Sequence, residues 1–400
     1  MIRIFSILLL FVSPFAIGQN TTTNQEGSSY KFTEIARHDA TPVVSQGYTG
    51  TCWSFSALSF FESEMMRMGT KNPATLSQMY VARKAYEGKA EKFIRMDGKT
   101  NFAQGGAFHD IPWVIKNYGI VPNSVYDGLN YGAERHNHRE LYSVLNGYMS
   151  GVLSFVNEKG SSPLSKAWKA GLNGILDAYF GDDVESFEVD GKSYTPKSYA
   201  EKTGLNMDDY ISLTSFTHFD MYEECHLAIP DNWAWGSSYN VSLDELVSVT
   251  KEALKNGYTV AWGADVSEKG FNFREGIAIV PEDESTIKVR GSDNQNFSDA
   301  GAEKKSNAFL SPVKEKNITV SQRQEDYDNK TTTDDHGMHI TGLYKEENGT
   351  TFFLVKNSWG TGNFPEGYLY VSEEYFKHKT INVYLHKEAI SKKVLKKLNL

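Results

Sequence analysis

A cysteine that follows a glycine-containing loop is the residue of this 400-residue chain best suited to nucleophilic chemistry. Cys52 comes after Gly47 and Gly50, and apolar side chains at helical spacing follow it, which predicts a helix from Cys52 to Met68. The unpaired N–H groups at the start of a helix favour a thiolate and lower the pKa of a cysteine there. We therefore expect Cys52 to attack a carbonyl carbon, against the alternative of an inert buried thiol.

Gln46 stands six residues before Cys52, in the same loop. Its side-chain amide could reach back beside the backbone N–H of Cys52. Two such donors form an oxyanion hole, which stabilises the tetrahedral intermediate of acyl transfer. Gln46 is therefore the candidate oxyanion donor.

Two β-rich segments further along the chain contain a candidate base and a residue that could orient it. Asn348 and Gly349 between them are a strong turn signal, so a hairpin is predicted. In that hairpin His336 lies near the start of one strand and Asn357 lies near the end of the next. A cysteine nucleophile needs a base and a third group that holds the tautomer of that base, and these two residues fit those roles.

His339 competes with His336 for the role of base. Residues two apart share a strand face, so His336, Met338 and Ile340 point one way and His339 points the other. The alternation leaves one histidine facing Cys52, and we predict His336, with His339 on the outer face or packed in the barrel. A metal site on the two histidines is disfavoured because strand residues three apart diverge. No metal or cofactor is predicted.

The chain resembles the papain-like cysteine peptidases in three motifs, which occur in the order typical of that family. These are Gln46-x5-Cys52-Trp53-x-Phe55-x-Ala57, the strand that begins at His336, and Lys356-Asn357-Ser358-Trp359-Gly360. Within the family, the long interval from Cys52 to His336 resembles the aminopeptidase C and bleomycin hydrolase branch. The resemblance implies an α+β fold of two lobes. One is a helical lobe whose central helix begins at the nucleophile and which carries a helical insertion, and the other resembles an antiparallel β-barrel.

The same resemblance implies roles for residues of the substrate cleft. Gly105 and Gly106 resemble the glycine pair on the unprimed side of the cleft, where Gly106 would pair with the substrate backbone. Trp359, two residues after Asn357, would cover the hydrogen bond between His336 and Asn357, although simple packing remains the alternative. The predicted catalytic residues are Cys52, His336, Asn357 and Gln46, and the predicted substrate-binding residues are Gly105, Gly106 and Trp359.

Length and composition indicate one large globular enzyme. Single cores stop growing beyond about 250–300 residues, so two lobes are expected. We place them at about 50–230 (helical) and 231–388 (β) within a peptidase domain of residues 30–388. The net charge of −9 gives no reason to expect nucleic acid or an anionic membrane as a partner. Two cysteines make no disulfide framework, so Cys225 is expected to be a lone thiol.

The two ends of the sequence suggest where the protein works. Residues 1–18 have the charged start, the apolar core and the small residues of a secretory signal peptide, so we expect an exported protein, periplasmic or secreted, without membrane association after cleavage. Residues 19–29 are polar and are expected to be disordered. Residues 389–400 form a tail with the apolar spacing of a short amphipathic helix.

The expected reaction is hydrolysis of peptide bonds through a thioester on Cys52. The resemblance favours an aminopeptidase, because in that branch the C-terminal residues of the chain lie in the cleft and bind the substrate α-ammonium. The tail of this chain departs from that pattern, since its four lysines would disfavour an ammonium group nearby. An open-cleft endopeptidase, an acyl-transferring enzyme or an inactive scaffold remain alternatives, and a homo-oligomer is left open.

Overall fold

The structure is a computed structural model that describes residues 21–158, 162–291 and 302–400. The predicted signal peptide, residues 1–18, lies outside the described residues. The α-helices are α1 Cys52–Arg67, α2 Gln78–Arg95, α3 Asp110–Tyr118, α4 Arg139–Asn157, α5 Ala167–Phe180, α6 Pro196–Thr203, α7 Leu243–Lys255, α8 Val320–Asp328, α9 Glu373–Lys379 and α10 Lys392–Lys397.

Sixteen short strands accompany these helices in the described ranges. They are β1 Thr21–Thr22, β2 Phe32–Arg37, β3 Phe187–Val189, β4 Lys192–Tyr194, β5 Tyr210–Thr214, β6 Glu224–His226, β7 Ser237–Asn240, β8 Val260–Ala264, β9 Phe271–Asn272, β10 Ile277–Ala278, β11 Lys288–Arg290, β12 Glu303–Lys305, β13 His336–Glu346, β14 Thr351–Lys356, β15 Tyr368–Ser372 and β16 Thr380–His386.

Helix α1 is the central helix, as the sequence predicts. Its residues from Cys52 to Met65 are all buried, because α2 and α3 pack on one side and strands β8 and β13 pack on the other. Ser56 donates its hydroxyl to the carbonyl of Cys52 at 2.8 Å, so this polar side chain is satisfied inside the helix. Gly69, with φ of 97°, follows the end of the helix. The position of α1 fixes Cys52 at the boundary between the helices and the sheet.

The main sheet is open and mostly antiparallel. Its strand order is β6-β7-β5-β16-β8-β13-β14-β15-β10-β9, with β2 also paired to β13 and β1 paired to β2. In the part of the chain that the structure describes, this order does not return to its first strand, so the predicted barrel-like lobe is wrong. Hydrophobic periodicity identifies strands but does not say whether the outermost ones meet. Strands β5 and β6 precede the predicted lobe boundary at residue 230, yet they belong to this sheet.

Residues 21–29 are ordered, contrary to the prediction of disorder for 19–29. Thr21 and Thr22 pair with β2, and the Asn24 side chain is fully buried. Its amide donates to the carbonyl oxygens of Glu275 at 2.7 Å and Phe309 at 2.9 Å. Polar composition misled the prediction because these side chains find partners in the folded protein rather than in water.

The tail forms the predicted amphipathic helix, α10. Val394 and Leu398 are buried in the apolar core beneath the sheet. Lys397 donates to Glu245 of α7 at 2.5 Å and to the hydroxyl of Tyr222 at 2.9 Å. These contacts fix the tail against α7. Among the described residues, no helix has the length and apolar character needed to cross a membrane.

Candidate active site

Strand pairing brings the predicted base and its orienting residue together. His336 begins β13 and Asn357 follows β14, and the two strands pair antiparallel as the predicted hairpin. His336 Nε2 lies 2.7 Å from Asn357 Oδ1. Because an amide oxygen only accepts, Nε2 carries the proton in the neutral ring and Nδ1 is left as the basic nitrogen. Nδ1 is buried without a hydrogen-bond partner, in a side chain that is 3% exposed.

Cys52 and His336 line one pocket between the helices and the sheet. The pocket contains about 440 Å³ of empty space, open solvent included. Its other lining residues include Gly106, Asp231 and Asp334. Asp335 lines the pocket as well, so a thiol, a basic imidazole nitrogen and three carboxyl groups face the same space.

The electrostatics of the pair differ from the sequence prediction. Burial raises the pKa of the Cys52 thiol to about 12; Asp231 and Asp334 also raise this pKa, while the N–H groups of Gly337 and Trp53 act in the opposite direction. Burial also lowers the pKa of His336 to about 4. The lowered thiol pKa expected at a helix start is thus outweighed by burial. Burial therefore favours the neutral forms of both the Cys52 thiol and the His336 imidazole.

Gln46 is held rigidly in the loop before α1. Its Nε2 donates to the carbonyl of Thr49 at 2.7 Å, and its Oε1 accepts from the hydroxyl of Ser358 at 2.6 Å. A side-chain amide has two N–H donors, so the bond to Thr49 uses only one of them. Cys52 is the first residue of α1, where the N–H has no partner within the helix. Both groups proposed for the oxyanion hole therefore have donor capacity.

Trp359 lies against the base. The centroid of its ring is 4.7 Å from that of His336, with an interplanar angle of 38°. Phe271 and Phe273 pack against the other parts of the indole, at centroid distances of 6.0 and 5.3 Å. This arrangement fits a side chain that shields the hydrogen bond between His336 and Asn357 from water.

The structure separates the two glycines of the predicted substrate-binding pair. Gly106 lines the pocket, and a Cβ there would lie 2.6 Å from the Asp110 carboxylate and 2.7 Å from the ring of Trp53. Gly105 does not line this pocket. A Cβ on Gly105 would collide with the carboxylate of Asp231, so this glycine permits close packing of that aspartate.

His339 is buried between β13 and α1. Its Nδ1 lies 3.0 Å from the hydroxyl of Ser59, to which Lys356 also donates at 2.8 Å. The predicted alternation is confirmed, since Met338 and Ile340 lie in the core beneath the sheet while His339 faces the helix. Of the two positions predicted for His339, the outer face is wrong, because α1 covers this side of the strand and the side chain is fully buried.

The lone-thiol prediction for Cys225 agrees with the structure, in which both cysteines are free and buried. Asp231, Asp334 and Asp335 are the acidic residues of the pocket to which the sequence motifs gave no role. Asp334 precedes His336 by two residues, and this closeness in the sequence could have indicated that it lies near the base. Asp231 lies in the segment between β6 and β7, where no motif marks it.

Comparison with known proteins shows what this chain is similar to. A model of the Peptidase C1-like family matches residues 312–400, which include His336, Asn357 and Trp359. Aminopeptidase G of Lactobacillus delbrueckii subsp. lactis is 24% identical over 392 residues, covering 88% of this chain and 82% of that protein. Bleomycin hydrolase of Mus musculus is 22% identical over 419 residues, covering 92% of this chain and 85% of that protein.

The fold has a counterpart among solved structures. The crystal structure of PepW from Lactobacillus rhamnosis HN001 superposes with a TM-score of 0.69 at 20% identity, covering 92% of this chain and 84% of that one. This likeness shows the fold. The sequence relatives and this fold agree with the resemblance stated from the motifs: the chain is similar to papain-like cysteine peptidases of the branch that contains the bacterial aminopeptidases and bleomycin hydrolase.

Proposed function

We propose that this protein is an aminopeptidase that removes N-terminal residues from peptides through a thioester on Cys52. One observation carries the chemistry: a buried His336 donates Nε2–H to Asn357 and presents an unpartnered Nδ1 in the pocket that Cys52 lines. A nucleophile, a base and an orienting group in this order are the requirements for covalent acyl transfer.

Acylation begins with the neutral pair. As the substrate carbonyl carbon approaches Sγ, the thiol proton moves to His336 Nδ1 and the sulfur forms a bond to carbon. The carbonyl oxygen becomes an oxyanion and accepts hydrogen bonds from the Cys52 N–H and from Gln46 Nε2. Asn357 Oδ1 stabilises the imidazolium by accepting from Nε2. His336 then gives its proton to the leaving amine as the C–N bond breaks, which leaves the thioester.

Deacylation uses the same groups in the same places. Water enters the position that the amine leaves, and His336 Nδ1 removes a proton as the oxygen attacks the thioester carbonyl. The oxyanion hole acts again, and the thiolate departs and recovers its proton from the imidazolium. The products are a free amino acid and a shortened peptide.

The restriction to N-terminal residues rests on the relatives and on the pocket. The matched relatives include an aminopeptidase by name, and aminopeptidase action requires a negative group beside the substrate α-ammonium. Three aspartates, Asp231, Asp334 and Asp335, line the pocket of Cys52. One observation favours the open-cleft endopeptidase: the C-terminal tail packs against α7 and does not line the pocket. Helices α4 and α5, which pack on α2, form the helical insertion in this proposal.

The experiment compares aminoacyl amides that carry a free amine with their N-acetyl counterparts, using the reduced protein and Cys52→Ala as control. Hydrolysis of the free-amine series, abolished by Cys52→Ala, supports the proposal. Preferential hydrolysis of the N-acetyl series would indicate an endopeptidase. Absence of hydrolysis in both series, with product formed only on addition of an acceptor amine, would indicate acyl transfer instead.

We further propose that the protein is exported, on the strength of the pattern in residues 1–18. N-terminal sequencing of the protein recovered from outside the cytoplasm should begin at Gln19. Recovery of the chain with Met1 intact from the cytoplasm alone would contradict export.

A further inference from the structure

Three carboxyl groups in the pocket of Cys52, those of Asp231, Asp334 and Asp335, have no role in the acyl-transfer steps. Asp231 and Asp334 line this pocket together with the thiol and His336. Asn101 donates to Asp231 Oδ1 at 3.0 Å. Asp334 Oδ2 is buried and has no hydrogen-bond partner. A buried carboxylate oxygen without a partner is costly, so its presence beside the reacting pair points to a ligand that satisfies it.

The neighbouring groups do not neutralise these carboxylates. The charge of Lys89 lowers the pKa of Asp231, against the effect of burial. The Lys89 ammonium donates its hydrogen bonds elsewhere, to the carbonyl oxygens of Ala103, at 2.9 Å, and Gly105. Among the described residues, no ion pair joins Asp231 or Asp334 to a lysine, arginine or histidine. Burial raises the pKa of both carboxyl groups, that of Asp334 well above its usual value, and a bound ammonium would stabilise their charged forms.

The remaining titratable groups of the pocket wall do not supply a cation. Burial lowers the pKa of His109 to about 4, so this ring is neutral at physiological pH. Asp335 adds negative charge, and its oxygens accept from the Ser267 N–H at 3.2 Å and the Thr333 hydroxyl at 2.6 Å. Asp335 is thus satisfied within the protein, while Asp334 is not.

Resting on the proposed aminopeptidase function, we propose that Asp334, assisted by Asp231, binds the α-ammonium of the substrate's N-terminal residue. That ammonium is separated from the scissile carbonyl carbon by a single Cα, so its site must belong to the pocket that contains Cys52. An ammonium has three N–H donors and can bond to both aspartates at once. The ligand class is therefore peptides with an unmodified N-terminus.

The position of the tail supports this assignment. Lys397 binds Glu245 and Tyr222, and Leu398 is buried beside α7, so residues 391–400 pack away from the residues that line the pocket. The negative charge that an aminopeptidase needs is supplied by Asp231 and Asp334 rather than by the tail. Neutralisation of these two aspartates by the ammonium would also remove their contribution to the raised pKa of Cys52.

The test measures kcat/KM for alanyl and leucyl coumarylamides and for the matched desamino acyl coumarylamides, which lack only the amine. The variants are Asp334→Asn and Asp231→Asn. Glu315→Gln is the matched control, because Glu315 is also a half-buried carboxylate but lies outside the pocket. A second control deletes residues 399–400, which are exposed.

Asp334→Asn should lower kcat/KM for the free-amine substrates about ten- to hundredfold, the effect of losing a hydrogen bond to a charged group, and should leave the desamino substrates within a few fold. Asp231→Asn should also lower the ratio of kcat/KM for the free-amine substrates to kcat/KM for the desamino substrates. Glu315→Gln and the deletion should keep the wild-type ratio.

An unchanged ratio in both aspartate variants would overturn the inference, as would an equal loss on both substrate series. A changed ratio in the deletion would assign the ammonium to the tail instead. Titration of Cys52 with a thiol-directed epoxide counts the folded sites in each variant. If wild-type protein that titrates fully hydrolyses neither series, the proposed function fails. If the wild type hydrolyses the free-amine series and the variants match it, only the inference fails.

Discussion

Replacement of Asn357 by alanine tests the hydrogen bond that holds the base. Asn357 Oδ1 is 2.7 Å from His336 Nε2, and the ring is 3% exposed, so water cannot replace the amide without rearrangement. During acylation the ring becomes an imidazolium. A hydrogen bond to a charged group is worth about 1.5–3 kcal/mol. At 1.36 kcal/mol per factor of ten, Asn357→Ala should reduce kcat/KM about 10- to 150-fold.

The assay is hydrolysis of a free-amine aminoacyl coumarylamide from pH 3 to pH 9, scaled by epoxide titration of Cys52. Burial lowers the pKa of His336 to about 4, and the hydrogen bond to Asn357 acts in the opposite direction. Loss of this hydrogen bond in Asn357→Ala should therefore move the acid limb of the pH–rate profile to a lower pH. Asn357→Asp keeps an acceptor at the same atom and adds negative charge. This variant should retain more activity than the alanine variant and move the acid limb upward.

Two results would refute this reasoning. A reduction of less than threefold in Asn357→Ala would mean that the bond does not orient the base. An Asn357→Asp profile with an unmoved acid limb would mean that His336 is not the titrating group. Ser358→Ala serves as a neighbouring control, because its hydroxyl contacts Gln46 and not the imidazole. Its acid limb should stay at the wild-type pH.

Three further predictions concern the same pocket. Gln46→Ala should lower kcat about 10²–10³-fold with little change in KM, because it removes a donor used in the transition state; steady-state kinetics with wild-type turnover would contradict that role. His336→Ala should lower kcat about 10²–10⁴-fold, whereas His339→Ala should lower the melting temperature but keep turnover per folded site; the reverse pattern would assign the base to His339. In the wild type, kcat/KM should fall as the pH drops through about 4, since protonated His336 Nδ1 cannot accept the thiol proton, and a constant rate down to pH 3 would contradict this.

The sequence alone predicts those helices and strands that local patterns of residues specify. Apolar spacing predicts α1, and the Asn348-Gly349 turn with its flanking β-rich segments predicts the hairpin of β13 and β14. Period-two alternation correctly separates the face of His336 from the face of His339. These features depend on residues close in the chain, where spacing determines direction.

The features that sequence reasoning missed depend on contacts between distant segments. Whether a sheet closes into a barrel depends on pairing between strands far apart in the chain. The expected barrel is therefore absent from the described residues, whose main sheet is open. The order of residues 21–29 depends on bonds from Asn24 to carbonyl groups of distant residues. Burial from all sides raises the pKa of Cys52, although its position at the helix start predicts the opposite. Asp231 reaches the pocket only through tertiary packing, since no motif surrounds it.

The measurement that tests the central claim most directly is hydrolysis of free-amine against N-acetyl aminoacyl amides by reduced protein, with Cys52→Ala alongside. We expect cleavage of the free-amine series alone. Both this cleavage and the epoxide labelling should be lost completely in Cys52→Ala. Cleavage that persists in Cys52→Ala, or that favours the N-acetyl series, would contradict it.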